Sequence, residues 1–166
     1  MSGRFRRIGA LGAAVCAAVA LGVPASATAA HAAALDFTLY AKEVPTDQSA
    51  PGADGRAPKL GDTFVFADDL SRTKGGPVVG RDGVSCTVVR TGDPGELLCT
   101  GAFVLDGGPG GQLIGQTMMA GSPSESPEAA FDIAVTGGTG DFKDARGYIR
   151  ATPDGDYQRM EFHLTG

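Results

Sequence analysis

The chain has 166 residues, with 14 Lys and Arg against 19 Asp and Glu, a net charge of −5 and no Trp. An acidic chain without a basic cluster is excluded from the usual binders of nucleic acid and anionic lipid, whose affinity comes from Lys and Arg. Asn is absent as well, which rules out N-glycosylation.

Arg4, Arg6 and Arg7 precede an apolar run from Ile8 to Val23, and small residues after Pro24 offer several A-x-A sites, the last at Ala30-His31-Ala32. That is the layout of a secretory signal peptide. The apolar run is about 16 residues, short of the roughly 20 that span a bilayer, so no stable membrane anchor is expected. The Arg6-Arg7 pair leaves the twin-arginine route open beside the general one. The expected organisation is a signal peptide at 1–32 and a single secreted, extracellular domain at 33–166. The domain would carry all 19 acids and 11 of the 14 bases, a net charge of −8. Its length suffices for one hydrophobic core.

From there the chain alternates in the manner of half-buried strands. Leu35, Phe37 and Leu39 alternate with Asp36, Thr38 and Tyr40. Pro45 to Lys59 is rich in Pro, Gly, Ala and Asp and reads as a surface loop. Thr63 to Ala67 forms a second strand closed by Asp68-Asp69, and Arg72 to Asp82 reads as irregular. Val84 to Arg90 and Glu96 to Leu105 form a hairpin around Thr91 to Gly95. Gln112 to Ala120, Ala130 to Thr136, Ala145 to Thr152 and Tyr157 to Leu164 complete the set. No segment holds a helical period for three turns. Eight short strands punctuated by Gly and Pro predict an all-β antiparallel barrel or sandwich.

Cys16 leaves with the leader, so Cys86 and Cys99 remain. With the hairpin centred on Gly92-Asp93, they fall directly opposite each other. Opposed residues of a non-hydrogen-bonded pair lie about 4.5 Å apart, within disulfide range. The register also puts Val84, Val88, Leu97 and Phe103 on the face of the cysteines. One disulfide is expected in an exported domain.

Val135 to Gly140, V-T-G-G-T-G, admits two readings. As a dinucleotide turn it would open a helix whose N-terminus holds a pyrophosphate. Lys143 stands where that fingerprint needs its last glycine, the residues after it alternate like a strand, and only 23 residues remain. As a β-corner, Gly137, Gly138 and Gly140 permit positive φ and close backbone approach. Asp141 can then bond nearby backbone and Phe142 can plug the barrel end.

The run F-D-I-A-V-T-G-G-T-G-D-F-K-D-A-R-G-Y at 131–148 resembles the G-G-T-G-x-F-x-x-A-R-G-Y stretch of dirigent proteins and a related stretch of allene oxide cyclases. Leu60 to Phe66 fits the same scheme, and the resemblance spans most of 34–166. It implies an eight-stranded antiparallel β-barrel with an apolar central cavity, often trimeric, working without metal or organic cofactor. It also implies steering of phenolic coupling or of fatty-acid epoxide cyclisation. An inward acid on the first strand belongs to that pattern; Ala41 takes its place here, leaving Glu43 or Asp36 as substitutes. An arginine before the corner is replaced by Phe131.

Candidate site residues follow from strand alternation. Arg146, Tyr148 and Arg150 share a face, as do Tyr157, Arg159, Glu161 and His163. Tyr40, Glu161 and His163 are the candidate acid–base groups, His163 being the sole histidine after the leader. Asp36, Arg146 and Tyr148 are candidate pocket residues. Met160, Phe162 and Leu164 belong to the core. A zinc set, a G-x-S-x-G elbow and a calcium loop are all missing from the sequence, so no metal is expected. Two functions remain: a secreted barrel that binds a hydrophobic small molecule in its lumen, dirigent-like or without turnover, or a cofactor-independent cyclase (isomerase) related to allene oxide cyclase. A homotrimer is the assembly the resemblance implies.

Overall fold

The computed structural model describes residues 34–45, 56–121 and 129–166. The expected signal peptide at 1–32 and most of the loops around 46–55 and 122–128 lie outside the described residues. Eight strands follow in chain order: β1 (Ala34–Glu43), β2 (Thr63–Ser71), β3 (Val78–Arg90), β4 (Glu96–Leu105), β5 (Gly111–Ala120), β6 (Phe131–Gly140), β7 (Arg146–Asp154) and β8 (Tyr157–Thr165). Each pairs antiparallel with the next, and β8 closes onto β1. The architecture is a closed eight-stranded antiparallel barrel, which leaves the alternative of a sandwich behind.

Two strand ends differ from the sequence reading. β2 runs on through Asp68 and Asp69 to Ser71, and β3 starts at Val78 rather than Val84. Asp and Gly are poor strand formers, yet Asp68 pairs with Asp82, Asp69 with Arg81 and Leu70 with Gly80. Burial of Leu70 and satisfaction of the ladder override local preference there. β6 likewise continues through the glycines to Gly140, and the turn proper is 141–145.

Alternation divides each strand into an inner and an outer face. Inner side chains form two clusters. The larger, with Leu39, Leu70, Phe103, Leu113, Ile149, Phe162 and Phe142 among its members, fills the end where β6 turns into β7. Phe37 stacks on Phe162 at 4.4 Å between ring centroids, and Phe103 meets Phe162 edge-on at 5.8 Å. The smaller cluster gathers Phe64, Phe66, Val84 and Met119 around Cys86, Val88, Leu97 and Cys99 at the opposite end. The disulfide joins Cys86 to Cys99, directly paired across β3 and β4 with Cα atoms 4.1 Å apart.

The corner closes the first end. Phe142 folds back into the barrel and is 2% exposed. A Cβ on Gly138 would sit 2.5 Å from the Phe142 carbonyl oxygen and 2.8 Å from its Cβ, so only glycine fits against that residue's backbone. Gly140 adopts φ +62° to leave the strand, while a Cβ on Gly137 would find nothing nearer than 3.7 Å. The Asp141 carboxylate accepts a 2.9 Å hydrogen bond from the Gly110 amide and ties this turn to the β4–β5 connection.

Candidate functional site

With one end filled by aromatic rings, the chemistry available to a ligand depends on polar groups that face inward. β2 and β3 supply them. Phe64, Phe66, Asp68 and Leu70 are successive inner positions of β2, and Cys86, Val84, Asp82 and Gly80 are their respective partners on β3. Asp68 and Asp82 are therefore directly opposed inside the barrel, at the boundary between the two apolar clusters. The Asp68 amide donates to Asp82 Oδ1 at 3.1 Å. Asp82 is 5% exposed. Phe103 of β4 is its other cross-strand neighbour, and Glu43 of β1 is paired with Asp68 at the rim.

Two carboxyls so placed cannot both ionise cheaply. Burial pushes Asp82 up to about 8, helped by the charge of Asp68 and the hydrogen bond between the two carboxyls. Burial also raises Asp68, to about 6; the hydrogen bond from Asp82 opposes this, and Glu43 and Asp69 add to it. Both shifts favour retention of a proton between the two carboxyls, which places a donor beside an acceptor. A third inner polar group lies on β8, where Gln158 pairs with Ala41 and Pro153. Its Oε1 is buried with no hydrogen-bond partner, leaving an acceptor unused. Among the described residues, no group of three or more His, Cys, Asp or Glu is arranged to hold a metal ion.

The residues singled out from sequence gather elsewhere. Leu39, Ala41, Met160, Phe162 and Leu164 are buried inner positions, so Tyr40, Glu161 and His163 between them stand on the outer wall. Asp36, Arg146 and Tyr148 stand on that wall too. His163 Nδ1 lies 2.9 Å from Asp36 Oδ1, and Tyr148 stacks on the imidazole at 4.8 Å. Glu161 pairs with Arg159 at 3.2 Å, and Arg150 with Asp132 at 3.0 Å. The Arg146 guanidinium donates to the Ala145 carbonyl at 2.7 Å. The structure brings Asp36, Tyr148 and His163 together, but on the side of the barrel away from Asp68 and Asp82. Of the two substitutes for the first-strand acid, Glu43 lies beside Asp68 and Asp36 lies outside.

The acid pair falls outside the strands that the sequence predicts, since the local pattern ends the second strand at Ala67 and begins the third at Val84. The signal was present: Asp68 continues the Phe64, Phe66 alternation and Asp82 precedes Val84 and Cys86 at the same period.

A family model described as "Dirigent-like protein" matches residues 35–165. Among solved structures, one titled "Pyocyanin demethylase" superposes with a TM-score of 0.62 at 27% identity, over 79% of this chain and 100% of that one. A second, the pterocarpan synthase dirigent protein GePTS1, gives a TM-score of 0.57 at 18% identity, over 80% of this chain and 86% of that one. No curated protein matches the chain.

Proposed function

The chain belongs to the dirigent-like family, and on that premise we propose that it is an exported barrel that holds a largely apolar small molecule at the disulfide-bearing end of its lumen. The observation that carries this reading is the directly opposed pair Asp68 and Asp82, inward carboxyls set beside apolar and aromatic side chains. Phe64, Phe66, Val84 and Met119 offer contact area, and Asp68, Asp82 and Gln158 offer the few polar partners that fix orientation. The two structural neighbours are named for pyocyanin and for a pterocarpan, both small aromatic compounds, which favours an aromatic ligand. The disulfide and the leader-like N-terminus support an extracellular setting.

A second reading has a specific observation behind it. The carboxyls bracket neutrality, one raised to about 6 and the other to about 8. Such a pair can give a proton to one ligand atom from Asp82 and take one from another onto Asp68, a net isomerisation. Cyclisation of a reactive intermediate would proceed this way without a cofactor, with the apolar wall excluding water.

Native mass spectrometry of protein isolated from its own culture medium tests the binding reading. The expected result is a co-purified aromatic ligand retained by the wild type and lost from the Asp68→Asn/Asp82→Asn variant. Equal retention by both proteins, or a lumen that takes no ligand, would remove the acid pair from the site.

A further inference from the structure

A cleft opens in the barrel wall, and its origin is a mismatch in strand length. β1 pairs with β8 from Ala34 to Ala41, but with β2 only from Tyr40 to Glu43, because β2 ends at Ser71. The first half of β1 therefore lacks a neighbour on its β2 side, and a cleft of about 60 Å³ lies there. Leu35, Phe37, Leu39, Val79, Leu105 and Pro109 supply its apolar lining, and Arg72 and Asp106 its charges. The buried row of Ala41, Leu70, Gly80 and Leu105 separates it from the acid pair.

The two charges are not equivalent. Asp106 lies 3.8 Å from the Arg81 guanidinium, which offsets it. Among the described residues Arg72 has no carboxylate partner. An unengaged guanidinium beside an apolar recess suits a ligand with a carboxylate head and a short hydrocarbon tail. An apolar cavity of roughly 150 Å³ holds benzene, about 25 Å³ per carbon, so the volume here accommodates a tail of about two or three carbons. We propose that this cleft is a second binding site, taking a small aliphatic carboxylate, or the carboxylate end of a larger one, with its head on Arg72. The site is independent of the reading given for the acid pair.

Titration of methyl-labelled protein with butanoate, whose tail has three carbons, followed by ¹³C NMR, tests this. Methyl signals of Leu35, Val79 and Leu105 should shift together. Acetate, whose tail is a single methyl, and butanamide, which lacks the charge, should each bind about tenfold more weakly. Arg72 is exposed, so Arg72→Gln should keep the fold and weaken the carboxylate about tenfold while leaving the amide unchanged. Binding of acid and amide with equal strength, unchanged affinity in Arg72→Gln, or absence of shifts at those three residues would each overturn the proposal.

Discussion

Asp68 and Asp82 face each other across β2 and β3, and the amide of one donates to the carboxyl of the other at 3.1 Å. An ordinary exposed Asp titrates near 3.9, whereas these are raised to about 6 and about 8. Between about pH 4 and pH 8 the folded state thus binds more protons than the unfolded, and stability falls as pH rises through that window. Asp82→Asn removes one buried carboxyl and keeps a donor for Asp68. It should flatten the fall and raise stability near pH 8.5 by on the order of 2–4 kcal/mol. Urea denaturation across pH checks this; a variant with the wild-type pH profile would contradict it.

The corner glycines separate by what lies above them. Gly138→Ala drives a methyl into the Phe142 backbone, whereas Gly137→Ala meets nothing closer than 3.7 Å. The first should cost about 3 kcal/mol or more, or abolish soluble expression, and the second about 1 kcal/mol or less. Thermal melts of the two proteins decide it. Equal melting temperatures would show that Phe142 does not seat on Gly138.

The disulfide joins residues 13 apart. On the chain-entropy model a loop of that size contributes about 2–3 kcal/mol. Reduction, or the Cys86→Ala/Cys99→Ala variant, should lower the melting temperature by roughly 5–15 °C. An unreduced, unfolded sample that reports two reactive thiols would reject the bond.

On the outer wall, the Asp36 and His163 side chains are 65% and 41% exposed. Solvent screens such a pair, so His163→Ala should cost no more than about 1 kcal/mol. Ligand retention in that variant should match the wild type if the lumen holds the ligand. Loss of ligand with the fold intact would move the site to the outer wall.

The strand content and the cysteine pairing were legible because each rests on period-two alternation within one hairpin. Cys86 opposite Cys99 needed only a turn centre. Asp68 and Asp82 were not, because their significance appears only when β2 and β3 are aligned through residues that lack strand propensity. The face of His163 was ambiguous for a related reason. Polar residues alternate with apolar ones on β8, and only barrel closure, with Phe162 fully buried against Phe37 and Phe103, fixes which set is inside. The β1 cleft depends on the difference in length between β1 and β2, which no local pattern encodes.

The opposed carboxyls of Asp68 and Asp82 inside the barrel are the feature on which the proposed function stands, and ¹³C titration of the aspartate carboxyl carbons reads their protonation directly. The expected result is one carboxyl, Asp82, that stays protonated through neutral pH and titrates near 8, with Asp68 titrating below it and moving to lower pH in Asp82→Asn. Titration of both carboxyls near the ordinary 3.9 would contradict the account.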